Sequence, residues 1–116
     1  MSMQKFEKKR ITGIPTITVR QNGSISLNEM AVEQFPIKDK KYAELYFDQE
    51  EQTIGIRPID SQDGVAAFTI IREKGKTYTI SCQAFLRKCG VAFTSGSKVY
   101  PAAWDSDREM AIIKLG

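Results

Sequence analysis

Two cysteines, seventeen basic side chains and no histidine bound the chemistry open to this chain of 116 residues. Cys82 and Cys89 stand seven positions apart on a stretch of helical character and share a face with Phe85, which is how a small apolar side chain is used in a core. A reactive thiol needs a cation or an imidazole beside it, and a structural zinc needs a full ligand set. Neither a thiol catalyst nor a disulfide nor a zinc site is expected. The missing histidine removes a Ser-His-Asp triad and any His-ligated metal. Gly90, Gly96, Ser97 and Lys98 have the residue types of a phosphate loop, but the spacing and the order of Lys and Ser are wrong. The expectation is a protein with no catalytic residue, no cofactor, no metal site and no small-molecule substrate.

The remaining chemistry is charge. Seventeen basic against fourteen acidic side chains give a net +3, a mild excess that permits a polyanionic partner. Arg20 lies beside one Gly-containing turn, and Arg72, Lys74 and Lys76 flank a second. Arg87 and Lys88 sit on a helical stretch, and Lys5, Lys8, Lys9 and Arg10 form a basic N-terminal arm interrupted by Glu7. The hydrophobic share of 41% and charged share of 27% are those of a globular domain, not of a disordered or fibrous chain. No apolar run reaches the ~18 residues of a membrane helix, and Pro15, Thr16 and Thr18 interrupt any signal-peptide stretch. A cytoplasmic protein with no membrane partner is expected.

The elements that carry these residues are short. From Thr16 to Leu27, apolar Ile17, Val19, Ile25 and Leu27 alternate with polar Thr18, Arg20, Ser24 and Ser26, the period of half-buried strands. Gln21-Asn22-Gly23 between them supplies the positive φ of a tight turn. Ser26-Leu27-Asn28-Glu29 has the form of a capping box, predicting a helix to about Phe35, with Ala31, Val32 and Phe35 on one face and Pro36 as its stop. Tyr42 to Phe47 and Thr53 to Ile56 then read as two strands around the polar run 48–52.

After residues 60–64 the same order begins again. Val65 to Arg72 and Thr77 to Ile80 read as strands around Glu73-Lys74-Gly75, and Ser81 as the cap of a helix through Cys89, closed by Gly90. Val99 to Trp104 and Met110 to Ile113 read as strands around 105–109. Arg20…Ser24 aligns with Arg72…Lys76, Phe35-Pro36-Ile37 with Cys89-Gly90-Val91, and Asp48…Arg57 with Asp105…Lys114. The expected organisation is therefore a flexible arm over 1–15, one unit over 16–59, a linker over 60–64 and a second unit over 65–116. Four short strands and a helix cannot cover their own apolar faces or sheet edges, so each unit needs its twin. The fold class is mainly β with two short helices, a duplicated ββαββ unit. Tyr42, Tyr46, Phe47, Tyr100 and Trp104 are expected to fill the shared sheet.

Gly23-Ser24-Ile25-Ser26-Leu27-Asn28, leading to Phe35-Pro36-Ile37, resembles the G-R-[IV]-[SV]-[IL]-P signature and helix stop of the AbrB/MraZ-like (SpoVT-AbrB) DNA-binding domains, in the tandem form. The resemblance runs from about Ile17 to Leu115 and implies a swapped-hairpin or double-ψ-like barrel. It also implies a homo-oligomeric transcription regulator that holds duplex DNA through Arg20, Arg72, Lys74, Lys76, Arg87 and Lys88. The chain departs from the pattern at several places. The Arg after the turn Gly is Ser24 in one unit and Lys76 in the other, and the Pro is Asn28. The family's basic helix pair falls on Val32-Glu33 and Leu86-Arg87, and Arg20 and Arg72 stand at its Asp position. Two other readings follow from the same outline: an interaction or assembly module that keeps the fold without DNA contact, and a small double-ψ barrel enzyme maturing at Gly23-Ser24 or Gly96-Ser97.

Overall fold

The computed structural model describes residues 14–60, 67–72 and 77–115. The order is β1 (Thr16–Val19), β2 (Ser24–Leu27), α1 (Glu29–Gln34), β3 (Tyr42–Asp48), β4 (Thr53–Ile59), β5 (Ala67–Arg72), β6 (Tyr78–Ser81), α2 (Gln83–Lys88), β7 (Lys98–Pro101), β8 (Ala103–Asp105) and β9 (Met110–Lys114). The arm, linker and second-turn residues at 1–13, 61–66 and 73–76 lie outside the described residues, and Lys74 and Lys76 with them.

All pairings are antiparallel, in the order β7-β1-β2-β6-β5-β3-β4-β9-β8. The strand expected over Val99 to Trp104 is broken at Ala102, whose N–H bonds the Pro15 carbonyl at 3.0 Å. Before the break it pairs with β1 and after it with β9. This bent strand joins the two ends of the sheet, so the sheet rolls into a nearly closed barrel.

Period-two alternation decides which side chains fill the barrel. Ile17 and Val19, Ile25 and Leu27, Ile54 and Ile56, Ile80, and Ala111 and Ile113 point inward and are almost fully buried. The helices and the loops after them close the ends with Ala31, Val32, Phe35 and Ile37 and with Leu86 and Phe93. Burying one Ile or Leu is worth about 1.5–3 kcal/mol, so a one-residue slip that turned such a row to solvent would exceed any hydrogen bond gained. Phe35 stacks at 5.6 Å from Trp104, and Phe68 meets Phe85 edge-on at 6.3 Å. Tyr46 departs from the expected filling: it is 43% exposed on the outer face, and its hydroxyl donates to Glu44 Oε1.

Both helix starts differ from expectation. Ser26 is held in β2 between Thr18 and Thr79, so its side chain is not free to cap. Asn28 is the N-cap instead: its Oδ1 accepts from Ala31 N at 2.8 Å and from Thr16 N at 3.0 Å, tying the helix to the start of β1. Ser81 is likewise a strand residue, and the N-cap of α2 is Cys82, whose side chain makes no capping bond. Gly90 follows α2 at φ +77° as expected of a terminator.

Candidate nucleic-acid interface

Strand register assigns Arg20, Arg72 and Lys98 to the ends of the barrel. Val19 pairs with Lys98 and with Ile25, and Ser24 pairs with Ser81, so the 20–23 turn, the start of α2 and the start of β7 share one end. Arg72 pairs with Tyr78, three residues before Ser81 on β6, which puts it about 10 Å away toward the other end. Arg20 and Arg72 are not brought together.

The turn at the first end is tightly built. Arg20 N–H donates to the Ser24 carbonyl at 2.8 Å, Gly23 N–H to the Arg20 carbonyl at 3.0 Å, and Gly23 carries φ +87°. Cys82 N–H donates to the Gly23 carbonyl at 3.1 Å, seating the first turn of α2 on the hairpin. Gln83 lies against Gly23. Arg87, four residues on, projects from the same helix face as Gln83, so it and Arg20 flank the turn. Gln21 fastens the turn to the loop after α2: its N–H donates to Ser97 Oγ and its Nε2 to the Thr94 carbonyl, both at 3.0 Å.

Arg20 is half-buried, whereas Arg87, Lys88 and Lys98 are exposed. None of the four has a carboxylate partner among the described residues. By contrast Arg57 pairs with Glu44 at 3.6 Å, Lys40 with Asp60 at 3.1 Å and Arg108 with Asp105 at 3.8 Å. The reason is compositional. Every Asp and Glu among the described residues falls within 29–60 or 105–109, and none within 14–28 or 77–104. Register joins those two acid-free segments into one contiguous wall, β7-β1-β2-β6, topped by α2. Lys98 belongs to this group and was not singled out in the sequence, because only the β1–β7 pairing brings it to the turn.

Arg72 serves the fold. Its Nη2 donates to the Lys38 carbonyl at 3.0 Å, its guanidinium lies 5.6 Å from the Tyr78 ring centroid, and the Tyr78 hydroxyl donates to the same carbonyl at 2.6 Å. The alignment of Arg20 with Arg72 also fails in register. Arg72 is two residues past buried Ile70 and keeps its facing, whereas Arg20 is one residue past buried Val19 and does not.

The other chemical candidates find structural places. Burial, with Cys89 nearby, pushes the Cys82 thiol up to about 12, and burial also raises that of Cys89. The two stand at opposite ends of α2, both free. Ser24 is buried and its hydroxyl donates to Asn22 Oδ1 at 2.7 Å. Among the described residues no cluster of ligating side chains could hold a metal, and no helix is long and apolar enough to cross a membrane. In comparisons with protein-family models, curated proteins and solved structures, nothing matches this chain.

Proposed function

We propose that the chain binds duplex DNA as a non-enzymatic regulator of AbrB/MraZ type, and that Arg20, Arg87, Lys88 and Lys98 hold the phosphates. The observation that carries this reading is the acid-free wall: Arg20 and Lys98 at one turn, Arg87 and Lys88 on the helix seated on that turn, and no carboxylate partner for any of them among the described residues. Phosphate contacts are made by such unneutralised Arg and Lys side chains, together with polar turn residues.

The tandem-repeat part of the reading draws support from the pairings. Exchanging β1, β2, β3 and β4 for β5, β6, the bent β7–β8 strand and β9 leaves the set of neighbours unchanged. The two polar hairpin turns also share one construction. Asp48 Oδ1 accepts from the N–H groups of Glu50 and Glu51, and Asp105 Oδ1 from those of Asp107 and Arg108. Gln52 and Glu109 then take φ values of +50° and +57°. The turn of the first unit, 20–23, is the one with acid-free surroundings among the described residues.

The test is a salt series of fluorescence-anisotropy titrations on a labelled duplex. The wild-type chain should lose affinity steeply with salt, and Arg20→Ala, Arg87→Ala, Lys88→Ala and Lys98→Ala together should flatten the log–log slope by roughly one unit per lost contact. No binding at low salt would retire DNA in favour of an interaction module on the same fold.

A further inference from the structure

Resting on the DNA reading, we infer that Asn22 is a base-reading residue and that it selects guanine. Gln21 and Asn22 form the exposed tip of the turn that Arg20 opens, with Lys98 beside it and the start of α2 seated on it. Their amide orientations follow from partners of one chemical kind. Ser24 N–H can only donate, so the Asn22 atom 3.1 Å from it is Oδ1. The Thr94 carbonyl can only accept, so the Gln21 atom 3.0 Å from it is Nε2.

The consequence is an unusual pair of readers. Asn22 Oδ1 already takes the Ser24 N–H and the Ser24 hydroxyl, so both oxygen lone pairs are occupied. What it turns outward is the amino group, which meets no acceptor among the described residues. A free Asn favours adenine because it accepts from N6 and donates to N7 at once. Asn22 has lost the accepting half of that pair. A donor-only group fits the base edge that offers only acceptors, guanine O6 and N7. Gln21 is the complement: its Nε2 is taken and its Oε1 is left to accept, which suits the N4 amino group of the cytosine opposite or beside that guanine. Both side chains are pre-oriented, the first by its own turn and the second by the loop after α2, so neither has to surrender much freedom on binding.

The experiment titrates the full chain against two labelled duplexes of equal length at one salt concentration, alternating G·C and alternating A·T. The wild-type chain should prefer the G·C duplex by about tenfold, and replacing guanine by 7-deazaguanine should remove part of that preference. Asn22→Ser keeps a neutral side-chain oxygen for the Ser24 amide and deletes the amino group. It should bring the ratio of affinities close to one while moving A·T affinity by no more than about twofold. Should Asn22→Ser unfold, Asn22→Asp keeps the turn's acceptor, and its added charge acts on both duplexes alike, so the ratio still reports. Wild-type binding without preference, or a preference that survives both substitutions, overturns the inference and leaves DNA binding standing. Binding to neither duplex overturns both.

Discussion

Gly23 backs directly onto Gln83: a methyl group added at Gly23 would lie 2.6 Å from Gln83 Cβ and 2.7 Å from its Cγ, at a backbone φ of +87°. The turn that carries Arg20 and the helix that carries Arg87 are therefore in contact through a position that favours glycine alone. Anything larger must move the helix off the hairpin or change the turn.

Gly23→Ala should accordingly destabilise the protein by about 2–4 kcal/mol, from positive-φ strain and overpacking together. Urea denaturation measures it. Adding Gln83→Gly should recover the part of the overpacking due to Cβ and Cγ, leaving the φ share and the contact with the Gln83 Cα, so the double-mutant coupling should exceed about 1 kcal/mol. A coupling near zero would mean that α2 does not seat on the turn.

Gly55 supplies the contrast. It is a buried strand residue where an added methyl would run into Met110 Sδ, in the outer part of a flexible side chain, and its φ is not positive. Gly55→Ala should cost no more than about 1 kcal/mol, since Met110 can turn aside. A loss as large as that of Gly23→Ala would show the methionine to be locked in place.

Arg72 separates structure from recognition. With Tyr78 it satisfies the Lys38 carbonyl, so Arg72→Ala and Tyr78→Phe should each lower stability by about 1 kcal/mol. Neither should alter DNA affinity or its salt slope, in contrast to the substitutions around the 20–23 turn. A slope that changes on Arg72→Ala would return that residue to the interface.

Much of this arrangement was legible in the residues, and the parts that were not have physical causes. Alternation at Ile17, Val19, Ile25 and Leu27 located the first hairpin, because apolar burial is a signal each strand carries alone. The helix caps were displaced because Ser26 and Ser81 suit a cap by type but are consumed by sheet pairing, which depends on distant partners. The break at Ala102 had one local sign, Pro101, which has no N–H to give a ladder, whereas the change of partner from β1 to β9 depends on distant residues. Matching Arg20 with Arg72 followed residue identity, whereas register places them on opposite facings of the sheet. Lys98 joined the candidate site only through its pairing opposite Val19.

The cysteines make a pH prediction. The Cys82 thiol is pushed up to about 12 in the folded chain, while an exposed thiol ionises near 9.0. Above pH 9 the unfolded chain gives up this proton and the folded chain keeps it, so stability is full below that pH and falls as pH rises toward 12. The expected slope from this one group is up to about 1.4 kcal/mol per pH unit, and Cys82→Ala should abolish that component. Thiol labelling of the native chain should reach half-buried Cys89 first and buried Cys82 only on unfolding. Equal labelling rates would contradict the burial of Cys82.

Gln52 and Glu109 close the two Asp-initiated hairpin turns in left-handed backbone, at φ +50° and +57°. A side chain there places Cβ against its own carbonyl, at a cost of about 1 kcal/mol that glycine does not bear. Glycine has its own cost, the greater freedom of the unfolded chain, of about 0.5–1 kcal/mol. The two effects nearly cancel unless the side chain also makes contacts, and here the residues differ. Gln52 Nε2 donates to the Gln49 carbonyl at 2.8 Å, and Glu109 reaches Arg57 at 3.9 Å across an exposed gap. The surface ion pair is worth less than the hydrogen bond that closes the turn. Glu109→Gly should therefore leave stability unchanged or raise it slightly, whereas Gln52→Gly should lower it by about 0.5–1 kcal/mol, as read from urea midpoints. The reverse order would mean that Glu109 holds Arg57 for the fold, and that the two turns, alike in backbone, are stabilised by different side chains from those the geometry indicates.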